Sequence, residues 1–302
     1  ENSENNLNIS VQDVSNDKYL KLYKIKSNLI DYNIDTLESS LDFTHQKDDL
    51  FFGLKASVYE TLKEDYNDKY EYIFPEITLD KNLFSSNIFG NLDLQTNFKT
   101  HNYDTNKLTN FLINDFNWAS KDIYYKSGLK GKFLGNFKNI NYEAKNVELY
   151  KSNTTSELFG ALGFQAELDL VRETDNSKHF FTPKFFTRFS PGSMRKELSG
   201  SRLTPLNAFN ISRLDDINNF ETGLSGTLGF DYKIKNNTNI KEFDFSVAQI
   251  INEKENKNMP TKTSLDEKLS DLVGSASYKV NNIINLNYNF ALDQNYSQIN
   301  YN

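Results

Sequence analysis

Few residues in this chain have the types and spacing that covalent chemistry requires. The three histidines, His45, His101 and His179, lie far apart and share no metal-ligand spacing. Gly223-Leu224-Ser225-Gly226 lacks the spacing of a nucleophile elbow and falls inside an alternating run. Gly128, Gly131 and Gly135 stand three and four apart with no helical pattern after them, unlike a dinucleotide-binding loop. Asp104-Thr105-Asn106 opens like a calcium loop, but Leu108 takes a ligand position and the turn glycine is missing. Asp215-Asp216 is an acid pair whose members, on a strand, would point to opposite faces. Without Cys there is no disulfide framework and no thiolate metal site. The expectation is a protein that is not an enzyme, with no metal and no cofactor.

One constellation stands apart. All five arginines, Arg172, Arg188, Arg195, Arg202 and Arg213, fall in one window, while the rest of the chain uses Lys. Arg offers a planar, bidentate fork that Lys cannot imitate. Two readings follow: contact with phosphate or carboxylate groups, on a ligand or on acidic side chains of a lumen, and ordinary ion pairing inside a wall.

The elements that must carry these residues are strands. From Leu224 to Ile234, Leu224, Gly226, Leu228, Phe230, Tyr232 and Ile234 alternate with Ser225, Thr227, Gly229, Asp231 and Lys233. Such a period of two gives one apolar and one polar face. The pattern recurs from Leu158 to Leu170 and from Ile284 to Leu292, and more weakly at Phe52–Val58, Leu92–Phe98, Leu129–Phe137, Phe243–Ile251 and Leu272–Val280. Lys107–Trp118 has a partly helical spacing, but its Phe, Ile, Asn and Trp are mediocre helix formers, and it reads as a strand. The runs approach ten residues, longer than ordinary soluble strands and suited to crossing a bilayer at a tilt. A tight turn at Val280-Asn281-Asn282-Ile283 contrasts with a long charged connection from Glu253 to Lys268. Short turns at one end and long loops at the other are a barrel habit.

Composition agrees. Aromatics make up 14% of the residues, too many for a disordered chain. A mean hydropathy of −0.65 leaves no apolar run for a transmembrane helix, which does not exclude a membrane barrel. A net charge of −7 argues against nucleic acid as a partner. The polar opening, Glu1 to Asp17, has no signal-peptide pattern, and the alternation is still running at Gln298 to Asn302. The expected fold is all-β, an antiparallel transmembrane β-barrel of long meander strands, with residues 1–302 a single outer-membrane segment of a longer chain.

The arginine window also carries a family resemblance. Phe181-Thr182-Pro183-Lys184-Phe185-Phe186-Thr187-Arg188-Phe189-Ser190-Pro191 resembles a strand of the LptD (OstA) barrels. That strand reads Thr-Pro, a basic residue, three variable positions, Arg, an aromatic, a small residue and Pro. Asn207 to Ile217 is similar to the family's next stretch, which ends in a basic residue, a spacer and an acidic turn. Glu221-Thr222-Gly223-Leu224 matches the glycine opening the following strand. Phe243 to Ile250 resembles a Phe-…-Ser-…-Gln strand, with Phe245 where an aliphatic residue is expected, and Asp271 to Ala276 continues in order. Upstream, Val14 to Leu20 resembles a family segment with its spacing shifted by one, and Phe74-Pro75-Glu76-Ile77 resembles a strand start.

The resemblance implies a barrel that delivers lipopolysaccharide to the outer leaflet of the Gram-negative cell outer membrane. It implies a plug lipoprotein, LptE, a periplasmic bridge protein, LptA, and surrounding outer-membrane lipids. The family's N-terminal periplasmic jellyroll, gate strands, closing C-terminal strands and disulfide cysteines have no counterpart here. Lys184, Arg188, Arg195, Arg202 and Arg213 are the residues expected to contact lumen groups or lipopolysaccharide. Leu228 and its even-numbered neighbours should face lipid; Gln165, Glu167, Asp169, Asp231 and Lys233 should face the lumen. A generic porin or receptor barrel and a surface β-rich adhesin are the competing readings.

Overall fold

A computed structural model describes residues 3–27, 30–63, 68–236, 242–281, 283–296 and 299–301. Nearly all ordered segments are strands. They are β1 (Ser3–Ser10), β2 (Thr36–Lys47), β3 (Leu50–Thr61), β4 (Tyr70–Ser86), β5 (Gly90–Tyr103), β6 (Lys107–Ala119), β7 (Ile123–Tyr124) and β8 (Leu129–Lys145). Then follow β9 (Thr155–Leu168), β10 (Leu170–Glu173), β11 (Ser177–Ser190), β12 (Gly223–Asn236), β13 (Glu242–Asn252), β14 (Leu272–Lys279), β15 (Asn285–Leu292) and β16 (Ile299–Tyr301). The one α-helix among the described residues is a single turn, Tyr19–Tyr23.

Chain order is sheet order. The strands form a meander from β1 to β16, with β7 and β10 as side hairpins on β8 and β11. The pairings described are antiparallel, from β1 on β2 to β15 on β16. Among the described residues the pairing does not close on itself, as a partial barrel requires. Lys107–Ala119 is a strand, as its composition predicts. Asp104-Thr105-Asn106, the would-be calcium loop, is the tight turn before it, with positive φ at Asp104 and Asn106 and Lys107 N–H donating to the Asp104 carbonyl. In the tight turn at 280–284 the Val280 N–H donates to the Ile284 carbonyl, while Asn282 lies outside the described residues.

Two compact units divide the chain: residues 1–84, 93–116 and 139–158, and residues 85–92, 117–138 and 159–302. In the first, Leu20, Leu37 and Leu62 form a small core with residues of the β1–β2 connection. A second cluster packs Phe111 against Tyr142 and Tyr150. The second unit holds the larger core: Met194, Leu203, Ala208, Ala248, Ile250, Met259, Leu265, Val273 and Ala291.

That core explains the two faces of β11–β15. Residues paired across antiparallel strands share a face. One face carries Phe185 opposite Leu228 and Phe189 opposite Leu224, with Leu162 opposite Phe189 on β9. It is open: Leu228 is 54% exposed and Leu162 68%. The other face carries Phe186, Arg188, Thr227, Ala248, Ile250 and Val273, and the connections 191–222 and 253–271 cover it. Gly163 belongs here too. A Cβ at that position would lie 2.7 Å from the Phe186 ring, so only glycine lets Phe186 lie flat and fully buried.

Candidate functional site

Both covering connections leave the same end of the strands, after β11 and after β13. Gly223 opens β12 at φ 114, a conformation that side chains rarely adopt. It lets the chain return to the sheet opposite Ser190, the last rung of β11. Within 191–222 a 3₁₀ turn, Asn207–Phe209, starts with a reciprocal cap: Thr204 N–H donates to Asn207 Oδ1 (2.7 Å), and Asn207 N–H to Thr204 Oγ1 (3.2 Å). The turn delivers Ala208 to the covered face, where Thr227 Oγ1 donates to its carbonyl at 3.0 Å. The two connections are also tied to each other, Glu197 N–H to the Asn258 carbonyl (2.8 Å) and Asn258 Nδ2 to the Met194 carbonyl (3.1 Å). Beyond that, Phe220 packs on Phe159, and the Lys138 ammonium sits over its ring.

At the foot of 191–222 three charged side chains meet. Arg188 of β11 donates from Nη1 to Glu221 Oε1 at 3.2 Å and from Nη2 to the Glu221 carbonyl at 2.5 Å. Arg213 donates from Nε to Glu221 Oε2 at 2.8 Å, from Nη2 to Oε1, and from Nη2 to Ser225 Oγ at 2.9 Å. All three residues are buried, Arg188 to 1% exposure. Burial by itself would raise the Glu221 carboxyl, but Arg213 and Arg188 beside it outweigh that and hold it below the usual carboxylate range. Two guanidiniums on one carboxylate leave one positive charge uncompensated among the three.

Toward the other strand end the same face is polar and half exposed. Lys184 pairs with Asp231, and Lys130 with Glu167 (2.8 Å) and Asp122 (3.5 Å). Lys233 pairs with Asp244 (3.0 Å) and Glu242. Gln165, Glu167, Asp231 and Lys233, expected to face a lumen, lie on this face with Lys184. On the open face at this end, rings follow one another across strands: Phe181 to Phe230 (5.3 Å), Phe230 to Phe245 (6.0 Å) and Phe245 to Phe290 (6.4 Å).

The five arginines thus do not share a site. Arg188 and Arg213 converge on Glu221; half-buried Arg195 donates to the Asn218 carbonyl; Arg202 and Arg172 are exposed. Glu221 is the residue that sequence reasoning missed as a partner, although it stands in one of the quoted motifs. Asp215 and Asp216 lie in the 191–222 connection rather than on a strand. They are kept apart by different means than expected: Asp215 accepts the Ser201 N–H and Asp216 the Asn218 N–H. The histidines sit on strands, with His45 bonded to Asn5, His101 to Glu71, and His179 to Ser177 and Tyr232.

An antiparallel meander with one open apolar face edged by aromatics, and one face lined by charges and inward-folded connections, is the build of a membrane β-barrel wall. A two-layer sandwich would instead bury the apolar face of each sheet. The chain belongs to the LptD family, LPS transport system D, whose family model matches residues 2–302. This is a family of outer-membrane proteins, and its task is the transport of lipopolysaccharide and its insertion into the outer membrane. A comparison with curated proteins finds no significant match.

Proposed function

We propose that residues 1–302 form one stretch of wall in an outer-membrane β-barrel that carries lipopolysaccharide to the outer leaflet. The rest of the wall and a periplasmic jellyroll would come from other segments. The open face of β9–β15 meets acyl chains, and the covered face borders the path of the sugar-phosphate head. The observation that carries this reading is the division of the two faces: Leu162, Phe185, Leu224 and Leu228 on one, Lys184, Glu167, Asp231 and Lys233 on the other. A lipid headgroup can exchange water for such a half-exposed ladder, and Lys184 is the candidate contact on it. Arg188 and Arg213, spoken for by Glu221, serve the wall and its connection, while exposed Arg202 and half-buried Arg195 lie on the connection itself. The lipid moves without any covalent bond being made or broken. The family supports a plug lipoprotein of the LptE kind and a periplasmic bridge of the LptA kind as partners.

Depletion of the protein in its own host tests this. Lipopolysaccharide labelled at the cell surface should fall several-fold while outer-membrane porins still assemble. Undiminished surface label would overturn the reading.

A further inference from the structure

We propose that the β1–β2 connection is an anchor in the membrane interface, with Leu22 and Tyr23 among acyl chains and Lys24 beside headgroup phosphates. The proposal rests on the membrane-wall reading above. On β2, Leu37 and Leu41 stand four residues apart and so share a face. Across the strands Leu41 pairs with Ile9 and Ala56, and Leu37 with Glu60. Ile9, Leu41 and, two residues beyond Ala56, Val58 are exposed. The opposite face carries charge: Lys55 and Tyr59 both donate to Glu38, at 2.9 and 3.1 Å. The face of Ile9 and Leu41 is therefore the apolar, lipid-side face of this unit. The connection folds back onto that face and not onto the polar one, since Leu20 packs with Leu37 and Leu62 in a buried core flanked by Val14 and Ile25.

The helical turn Tyr19–Tyr23 has two sides. Leu20 is buried, while Tyr19, Leu22 and Tyr23, three and four residues apart, share the outer side. Leu22 is 70% exposed and Tyr23 62%, and the Tyr19 and Tyr23 rings lie 4.9 Å apart. Lys24 ends the turn at φ 48, so Ile25 N–H reaches the Leu20 carbonyl (3.0 Å) and Ile25 returns to the core while Tyr23 stays outside. Four lysines, Lys18, Lys21, Lys24 and Lys26, are interleaved with these residues, and no acid falls between them. Three of the connection's acids are paired: Asp17 with Lys69 (3.0 Å), Asp31 with Lys26 (3.6 Å) and Asp35 with Lys21 (2.8 Å). The fourth, Asp13, lies at its start beside Gln12, which is bonded to Ser39 of the sheet. Exposed Lys24 is in no ion pair among the described residues. Tyrosines at headgroup level, an inserted aliphatic chain and lysines whose stems run along apolar surface are the chemistry of an interfacial segment. The occupant is lipid because this knob sits on the lipid side of the wall, next to its exposed apolar residues.

The test uses the full-length protein, with any other cysteines replaced, carrying one fluorophore on Leu22→Cys or on Leu41→Cys. It is reconstituted in vesicles of phosphatidylglycerol and brominated phosphatidylcholine. At Leu22, bromines near the glycerol end of the acyl chain should quench several-fold more than bromines near its methyl end, and aqueous iodide should quench little. At Leu41, acyl-chain bromines should quench and iodide should not, which reports on the wall alone. Iodide quenching at Leu22 with bromine quenching at Leu41 overturns the anchor and leaves the wall reading standing. Iodide quenching at both positions overturns the wall reading and the anchor with it. A label at Leu22 that neither quencher reaches is covered by protein, which also overturns the anchor. In a protein labelled at Tyr19→Cys, Leu22→Asp should remove most of the bromine quenching without lowering the folded yield, because Leu22 takes no part in the core. Unchanged quenching there overturns the role given to Leu22.

Discussion

Lys184 and Arg188 stand four residues apart on one face of one strand, in opposite surroundings. Lys184 is half exposed, its ammonium shared between Asp231 and the ring of Phe209. Arg188 is sealed beneath the 191–222 connection and held by the side chain and carbonyl of Glu221. A compact ammonium that keeps much of its water suits the first place; a planar fork that tolerates desolvation suits the second. The same face therefore does two jobs. Near the short turns it is a wet ladder of alternating charges, and near the long connections it is a sealed core that fastens loop to wall.

The sharpest way to break this contrast is Glu221→Ala. Removing the shared carboxylate strands two buried guanidiniums and should destabilise the protein by about 3–5 kcal/mol, measured by urea unfolding in vesicles. Acid should act on the same contact. The folded-state carboxyl of Glu221 lies below its ordinary value of 4.5, so its contribution is intact above that pH and is lost as the pH falls further, through the depressed value. Glu221→Gln should flatten that part of the acid dependence.

Next in size is the open face. Leu228→Arg places a charge where lipid is expected and should cost about 2–4 kcal/mol if the site lies near the bilayer midplane. The neighbouring change Asp231→Asn, on the ladder, should cost about 1 kcal/mol or less. Comparable losses in the two variants, measured as folded yield in vesicles, would contradict the assignment of faces. Gly163→Val tests the sealed half from within: the added methyls collide with Phe186, with an expected loss of about 1–3 kcal/mol in the same unfolding assay. Smallest of all should be Lys184→Met. Its pair with Asp231 is partly solvated, so about 0–1 kcal/mol is expected, shrinking further in high salt.

The ladder half was legible in the sequence and the sealed half was not. Alternation from Leu224 to Ile234 fixes which side chains of β12 share a face, because a strand has a period of two and no freedom to rearrange it. The same rule sets Phe186, Arg188 and Ser190 apart from Phe185 and Phe189. No such rule reaches the connections. Met194, Leu203, Ala208, Met259 and Leu265 are spaced without period in stretches rich in polar residues, and their burial depends on a tertiary fold-back. The stretch from Glu253 to Lys268 reads as a charged loop, yet it places Met259 and Leu265 in the core. Arginine enrichment signalled that geometry mattered near Arg188 and Arg213, but not that Glu221 was the answering group. The Arg188–Glu221 pairing spans the whole 191–222 connection and exists only once the connection folds inward.

The faces themselves can be read directly. The chain has no cysteine, so a single one introduced at Leu162, Leu228, Gln165 or Asp231 carries the only label. In vesicles, fluorophores at Leu162 and Leu228 should be quenched by brominated acyl chains and spared by aqueous iodide, and those at Gln165 and Asp231 should show the reverse. Equal quenching at all four, or acyl-chain quenching at Asp231, would contradict the membrane-wall account.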